Sequence, residues 1–138
     1  MIYLDTSVLV PYYAPEAGSA KAEDIVRAAP ALIVSDLAVA EFHATIVRKV
    51  RMGALDGIAA DKIWALFESH LADGYFDRIS MTRSHATAVR LLATRSPAMI
   101  RTLDALHLAM ASDAGADLAT FDQRLAEAAR AHGLSVLS

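Results

Sequence analysis

Cysteine is missing from the chain, and its absence removes several kinds of chemistry. A disulfide framework, a zinc site built on thiolates and a catalytic cysteine are all excluded. Lysine is also scarce, occurring only at Lys21, Lys49 and Lys62, so a reaction that needs an active-site lysine has few candidates. The glycine-rich patterns GxxxxGK(S/T) and GxGxxG do not occur, nor do GxSxG and HExxH. Nucleotide triphosphatase and dinucleotide-binding functions therefore lose support.

Long apolar runs are missing as well. The most apolar windows, residues 37–47 and 103–111, are interrupted by an acid or a histidine and fall short of the roughly 20 residues of a membrane-spanning helix. The first five residues lack the basic region and the cleavage site of a secretory signal. The formal net charge of −3 disfavours a broad basic surface but allows a local basic patch. We therefore expect a soluble, cytoplasmic protein without a membrane partner.

What remains is the composition of one globular domain, with 138 residues of which 55% are hydrophobic and 21% charged. Short apolar runs alternate with longer stretches of helical periodicity, beginning with a helical stretch after Asp5. The runs predict strands at 2–4, 32–34, 76–79, 118–120 and 134–137, and the periodic stretches predict helices at 19–29, 37–52, 56–73, 84–94, 102–114 and 122–131. This order predicts a single α/β domain over residues 1–138, with a mainly parallel sheet of four or five strands covered on both faces.

Four of the 16 acids form the most informative set, namely Asp5, Glu41, Asp104 and Asp122. Each has an ordinary explanation: Asp5 and Asp122 can cap helices, Asp104 can interact with a helix dipole, and Glu41 can pair with Arg48. Glu41 stands out because apolar residues lie three and four positions away on its helix. A buried carboxylate must be neutralised, paired or bound to a cation, since burying it alone costs several kcal/mol.

Parallel-sheet geometry brings these four acids toward one edge. The helices that begin after Asp5, after Ser35, at Thr102 and after Thr120 all start at the carboxyl edge of the sheet, where α/β proteins bind ligands. Glu41 lies about 9 Å along its helix, still within reach of that edge. Converging carboxylates repel one another unless a cation lies between them, and hard oxygen ligands suit Mg²⁺ or Mn²⁺. Such a site could support phosphodiester hydrolysis.

Four segments in this order resemble the PIN-domain ribonucleases, and most closely the toxins of VapBC toxin–antitoxin pairs. They are residues 2–9 (IYLDTSVL), 35–41 (SDLAVAE), 102–109 (TLDALHLA) and 116–122 (ADLATFD). The resemblance implies a three-layer α/β/α fold and a Mg²⁺- or Mn²⁺-dependent endoribonuclease that leaves a 5′-phosphate and a 3′-hydroxyl. It also implies a homodimer, and a cognate antitoxin whose C-terminal segment covers the active site.

The family pattern assigns roles to individual residues of this chain. Asp5, Glu41, Asp104 and Asp122 match the acidic quartet that holds the metal, and Asp122 is the least uniform ligand of the four. Two further positions match hydroxyls that support the quartet, Thr6 beside the first acid and Thr120 before the last.

Several alternatives stay open at this point. Arg101, beside Asp104, is a candidate substrate contact, whereas His107 is more simply a structural histidine than a metal ligand. Asp5 could instead be the nucleophile of a phosphatase or phospho-acceptor domain, although the second acid of such sites is replaced by Ser7. The chain could also be a non-catalytic PIN-like module that binds RNA or protein. A last set of residues could form an apolar groove for a partner segment, although the final two also suit a core: Pro11, Tyr12, Tyr13, Trp64 and Phe67.

Overall fold

The computed structural model describes residues 1–138 and contains one five-stranded sheet in which all neighbouring strands are parallel. The strands stand in the order β3-β2-β1-β4-β5. Their bounds are β1 Ile2–Leu4, β2 Leu32–Ser35, β3 Asp77–Ile79, β4 Asp117–Ala119 and β5 Val136–Leu137. The predicted parallel sheet is confirmed. The last strand is shorter than predicted because the backbone N–H of Leu134 bonds Ala129 O, 2.9 Å away, and so closes the preceding helix.

Seven helices connect and follow the strands. Their bounds are α1 Thr6–Tyr13, α2 Ser19–Ala28, α3 Asp36–Arg51, α4 Gly57–Ala72, α5 Arg83–Arg95, α6 Thr102–Asp113 and α7 Gln123–Ala131. Local signals fix several of these ends. The Ser35 side chain caps the start of α3, and the Asp56 side chain caps the start of α4. Two residues after α3, Gly53 turns the chain away from the helix with a φ of +74°, which suits glycine. The six predicted helices are confirmed to within two residues at each end.

Alternating side chains of the sheet feed two separate hydrophobic cores. Ile2 and Leu4 pack on one face against residues of α1, α2, α3 and α4, whereas Tyr3 faces the other side together with residues of α6 and α7. Val89 and Leu92 of α5 pack against that second core. The protein is therefore a three-layer α/β/α sandwich, as predicted. None of its seven helices combines the length and the apolar character of a membrane-spanning segment.

The strand order creates a crevice beside β1. Strands β2 and β3 lie on one side of β1, and β4 and β5 lie on the other. The chain therefore leaves the carboxyl ends of β1 and β4 in opposite directions. The crevice between two such strand ends is the place where open α/β sheets bind ligands. Asp5 follows β1 and the segment Thr120–Asp122 follows β4, so the fold places both at this crevice.

Candidate active site

A cavity of about 380 Å³ lies at this crevice and is lined almost entirely by polar side chains. Helices α1, α3 and α6, together with the start of α7, contribute its walls. The structure brings all four acids of the predicted quartet into this cavity. Its 14 lining residues are Asp5, Thr6, Ser7, Val10, Pro11, Glu16, Glu41, Thr45, Arg48, Lys49, Arg101, Asp104, His107 and Asp122.

Asp5 is held by hydrogen bonds to only one of its two carboxylate oxygens. Its Oδ2 accepts from the Ser7 amide at 3.3 Å, the Ser7 hydroxyl at 2.5 Å and the Thr120 hydroxyl at 2.8 Å. The bond from the Ser7 amide makes Asp5 the N-cap of α1, so the ordinary explanation of this acid is also correct. The second oxygen, Oδ1, has no hydrogen-bond donor and lies 3.5 Å from His107 Nε2.

Glu41 is organised in the same way. Its Oε1 accepts from the Thr6 hydroxyl at 2.9 Å and from His107 Nε2, and its Oε2 has no protein donor. Burial alone raises the pKa of Glu41, but the hydrogen bonds and charges of His107, Thr6 and Arg101 outweigh burial and bring that pKa below its usual value. Glu41 is therefore a carboxylate with one oxygen free, and its partner is His107 rather than Arg48.

Asp104 and Asp122 form the other half of the acidic site and share one cation. Arg101 donates through Nε to Asp104 Oδ2 at 3.1 Å and through Nη2 to Asp122 Oδ2 at 3.0 Å. Asp122 also caps α7, because its Oδ1 accepts from the amides of Arg124 and Leu125. The Arg101 side chain is 67% exposed, so the cation of this bridge faces solvent, whereas the Asp104 side chain is only 9% exposed.

Hydroxyl groups connect the two halves. Thr120 Oγ1 donates to Asp5 and accepts from the Asp122 amide at 3.1 Å. Ser7 Oγ donates to Asp5 and accepts from the Phe121 amide at 2.8 Å. Thr6 and Thr120 thus both bond acids of the quartet, but the Thr6 hydroxyl donates to Glu41 rather than to the neighbouring Asp5, and the Thr120 hydroxyl donates to Asp5 and accepts from the backbone amide of Asp122. The hydrogen bonds of Ser7 were not predicted, although Ser7 lies two residues after Asp5, a spacing at which its hydroxyl can reach the Asp5 carboxylate.

His107 was predicted to be a structural histidine, but it lies in direct contact with the acidic site. It is buried, with Nε2 near both Asp5 and Glu41 and Nδ1 2.7 Å from the Tyr3 hydroxyl. Burial lowers the pKa of His107, but the hydrogen bond to Glu41 and the charges of the nearby acids, including Asp5, dominate and raise it. The available signal was its spacing of three from Asp104, which placed both on one face of α6.

The donor set suits a small divalent cation. One ligand atom each from Asp5, Glu41 and His107 lies within 4.8 Å of the others, close enough to surround a single ion. Asp5 Oδ1 and Glu41 Oε2 accept no hydrogen bond from the protein, and Asp104 and Asp122 also line the cavity but lie outside this group of three. Hard oxygen donors of this number fit Mg²⁺ or Mn²⁺.

A second depression, of about 360 Å³, lies between α1, α2 and α4. Tyr12 and Tyr13 line it as expected, together with Leu66, His70 and Tyr75. Trp64 and Phe67 do not line it. Phe67 is fully buried in the first core, and the half-buried Trp64 packs against the same core, which agrees with the core assignment weighed for both residues.

Comparison with family models gives a match to the PIN domain over residues 2–131. The match covers nearly the whole chain and includes every residue of the acidic cavity. The chain belongs to the PIN-domain family. A search of curated protein sequences finds no match.

Several solved structures superimpose on this chain over nearly its whole length. VapC20 of Mycobacterium tuberculosis, described as a sarcin–ricin loop cleaving toxin, superimposes with a TM-score of 0.71 and 17% identity, covering 97% of this chain and 96% of its own. The FitAcB structure from Neisseria gonorrhoeae gives a TM-score of 0.75 and 17% identity, with coverages of 100% and 97%. A toxin–antitoxin complex from Klebsiella pneumoniae gives 0.67 and 18%, with coverages of 100% and 97%. At these identities the likeness establishes a shared fold.

Proposed function

We propose that this PIN-domain protein is a metal-dependent endoribonuclease that acts as the toxin of a toxin–antitoxin pair. The proposal depends on the hydrogen bonding of two carboxylates, the buried Asp5 and the half-buried Glu41. Asp5 and Glu41 each bind protein donors through one oxygen and keep the other free, and ligand atoms of the two residues lie within 4.8 Å of each other. Two like charges held this close need positive charge beside them, which His107 supplies only when it is protonated and which a divalent cation would supply otherwise. A PIN fold supplies the setting for a nuclease.

The ion is Mg²⁺ or Mn²⁺, held by Asp5, Glu41 and Asp104, with Asp122 as a direct or water-mediated ligand. Such an ion would supply an activated water molecule and neutralise charge on the scissile phosphate. The chain's part is to fix the carboxylates in place before substrate arrives, which the hydrogen bonds from Thr6 and Thr120 do.

RNA is the proposed substrate class. Arg48 and Arg101 line the same cavity as the acids, and the exposed Arg101 side chain can exchange its carboxylate partners for a phosphate. The similarity to a toxin described as cleaving the sarcin–ricin loop supports an RNA substrate. Cleavage by in-line attack of water would leave a 5′-phosphate and a 3′-hydroxyl.

An antitoxin and a second copy of the chain complete the proposal. The structural similarity to a toxin–antitoxin complex supports a cognate antitoxin. We propose that a C-terminal segment of this antitoxin covers the acidic cavity. The depression lined by Tyr12, Tyr13 and Tyr75 offers aromatic surface to such a segment. We also propose that the protein acts as a homodimer in the cytoplasm, with residues 1–138 folding as a single domain.

The test is cleavage of total RNA by the purified protein, with Mg²⁺, with Mn²⁺ and with EDTA, followed by mapping of the new ends. We expect cleavage only with the divalent ion. Asp5→Asn and Glu41→Gln should each lower the rate by about 10²-fold or more, because losing even a group that only hydrogen-bonds to a metal ligand costs about 10–100-fold. Asp117→Asn is the matched control, since this exposed strand residue lies outside the cavity and should keep full activity.

The alternatives predict different results in the same assay. Cleavage that persists in EDTA, or that Glu41→Gln does not slow, contradicts the metal mechanism. A phosphatase that uses Asp5 would release inorganic phosphate from phosphomonoesters and leave internal RNA bonds intact. A non-catalytic module would bind RNA without cleaving it, and Asp5→Asn would leave its effect in cells unchanged.

A further inference from the structure

A buried chain of hydrogen bonds leads from the start of α3 to the acidic site. The Ala38 amide donates to Ser35 Oγ at 3.1 Å, and Ser35 Oγ lies 2.7 Å from the Tyr3 hydroxyl. The same hydroxyl lies 2.7 Å from His107 Nδ1, and His107 Nε2 contacts Oε1 of Glu41. Ser35, Tyr3 and His107 are each at most 1% exposed, so no solvent competes along this path.

The position of the hydrogen atoms follows from the partners. Ionised Glu41 is an acceptor only, so His107 Nε2 must carry the hydrogen that joins them. At the other end, Ser35 Oγ already accepts from the Ala38 amide, which leaves its own hydrogen for Tyr3. Tyr3 can then donate to Nδ1 of His107, and every hydrogen in the chain has an acceptor.

We propose that His107 is a positioning residue for Glu41, an inference that rests on the metal-dependent function proposed above. Its Nε2–H fixes Oε1 of Glu41, jointly with the hydroxyl of Thr6, and so leaves Oε2 as the oxygen presented to the ion. Tyr3 in turn fixes the orientation of the imidazole ring.

This assignment makes His107 a hydrogen-bond donor in the site and not a metal ligand, although its Nε2 lies near both Asp5 and Glu41. A nitrogen that carries hydrogen has no lone pair to offer an ion. Keeping imidazole out of the ligand set also keeps the site all-oxygen, which favours Mg²⁺ and Mn²⁺ over Zn²⁺.

The inference predicts an effect on ion affinity that the shape of the side chain alone does not explain. Loss of an outer-shell partner lowers metal affinity by about 10–100-fold. We expect His107→Leu to raise the Kd for Mn²⁺, measured by calorimetric titration, by that factor. His107→Gln retains an N–H donor at the end of its side chain and should restore most of the affinity. Tyr3→Phe should weaken Mn²⁺ binding less than His107→Leu, and should have no further effect when combined with it.

Spectroscopy of the unmodified protein tests the same inference without relying on the variants folding. Long-range ¹H–¹⁵N spectra of ¹⁵N-histidine-labelled protein distinguish a ring nitrogen that carries hydrogen from one that does not. We expect Nε2 of His107 to carry hydrogen both before and after Mg²⁺ is added. A lone pair on Nε2 in either state overturns the inference, as does a glutamine variant that binds Mn²⁺ as weakly as the leucine variant.

Failure of the inference and failure of the proposed function can be told apart. If Mn²⁺ binding follows the predicted order but no RNA is cleaved, the positioning role stands and the nuclease proposal fails. If RNA is cleaved with Mg²⁺ but Nε2 lacks hydrogen, the nuclease proposal stands and the positioning role fails. In the active enzyme, His107→Leu should regain its kcat at saturating metal while the KM for RNA stays unchanged.

Discussion

At a pH above the native pKa of His107, where the imidazole is neutral, replacing Asp5 with asparagine is expected to stabilise the protein in EDTA and to abolish its stabilisation by Mg²⁺. The two effects have one cause, because the carboxylate that binds the ion also repels Glu41 when neither an ion nor a protonated His107 offsets the two charges. The asparagine oxygen can take over the hydrogen bonds that Oδ2 accepts from Ser7 and Thr120. The substitution therefore removes a charge with little change in packing.

The size of the effect follows from the geometry. Ligand atoms of Asp5 and Glu41 lie within 4.8 Å, where two unit charges repel by about 3.5 kcal/mol at an effective dielectric constant of about 20. The loss of a negative charge at the N-terminus of α1 offsets about 0.3–1 kcal/mol of this. Weaker, uncharged hydrogen bonds from Ser7 and Thr120 offset about 1 kcal/mol more. We expect a net gain of about 1–2 kcal/mol, or roughly 3–8 °C in Tm.

The assay is urea unfolding of the wild type and of Asp5→Asn, each in EDTA and in excess Mg²⁺, at a pH above the native pKa of His107. When Mg²⁺ exceeds its Kd about 100-fold, the wild type should gain about 2.7 kcal/mol, whereas the variant should gain almost nothing. Asp117→Asn serves as control and should stay within about 0.5 kcal/mol of the wild type in both conditions. The reasoning is refuted if Asp5→Asn is less stable than the wild type in EDTA, or if Mg²⁺ stabilises both proteins equally.

Three further predictions concern RNA binding, pH and the core. Arg101→Gln should weaken RNA binding and reduce the slope of log Kd against log salt by about one, whereas Lys62→Gln on the exposed side of α4 should change neither, as anisotropy titrations can show. The pKa of Glu41 is lowered, so the free energy of unfolding in EDTA should decrease on acidification, as the pH drops through the native pKa of Glu41. The pKa of His107 is raised, so the same free energy should also decrease on the alkaline side, as the pH rises from about 6.5 through the native pKa of His107. His107→Gln should remove the second decline. Phe67→Ala should cost about 3–5 kcal/mol of the free energy of unfolding, because its ring is fully buried; a loss below about 1 kcal/mol in urea unfolding would contradict this packing.

Much of the fold is predictable because its determinants are local. Apolar runs of three or four residues predicted the strands, and glycines such as Gly53 and Gly74, both with positive φ, ended helical patterns where the structure ends them. Parallel strands separated by helices then placed the acids at one edge of the sheet. The bounds of α1 could not be predicted in the same way, because its proline, Pro11, lies inside the helix and does not mark its end.

The finer organisation of the site depends on contacts that no local pattern records. Tyr3 and His107 are 104 residues apart, and Thr120 is 115 residues from Asp5. The sequence placed the quartet at the crevice, but which oxygen of each carboxylate is already bonded depends on packing across three elements. A buried tyrosine in the middle of β1 was the available hint, since its hydroxyl needs a partner.

The central claim is that one divalent ion binds between the free oxygens of Asp5 and Glu41. Crystals soaked in Mn²⁺ test it most directly, through an anomalous difference map recorded at the manganese absorption edge. We expect a peak in the cavity within bonding distance of Asp5 Oδ1 and Glu41 Oε2, and its loss in crystals of Asp5→Asn. A map without a peak there, or a peak of equal height in the variant, would contradict the account.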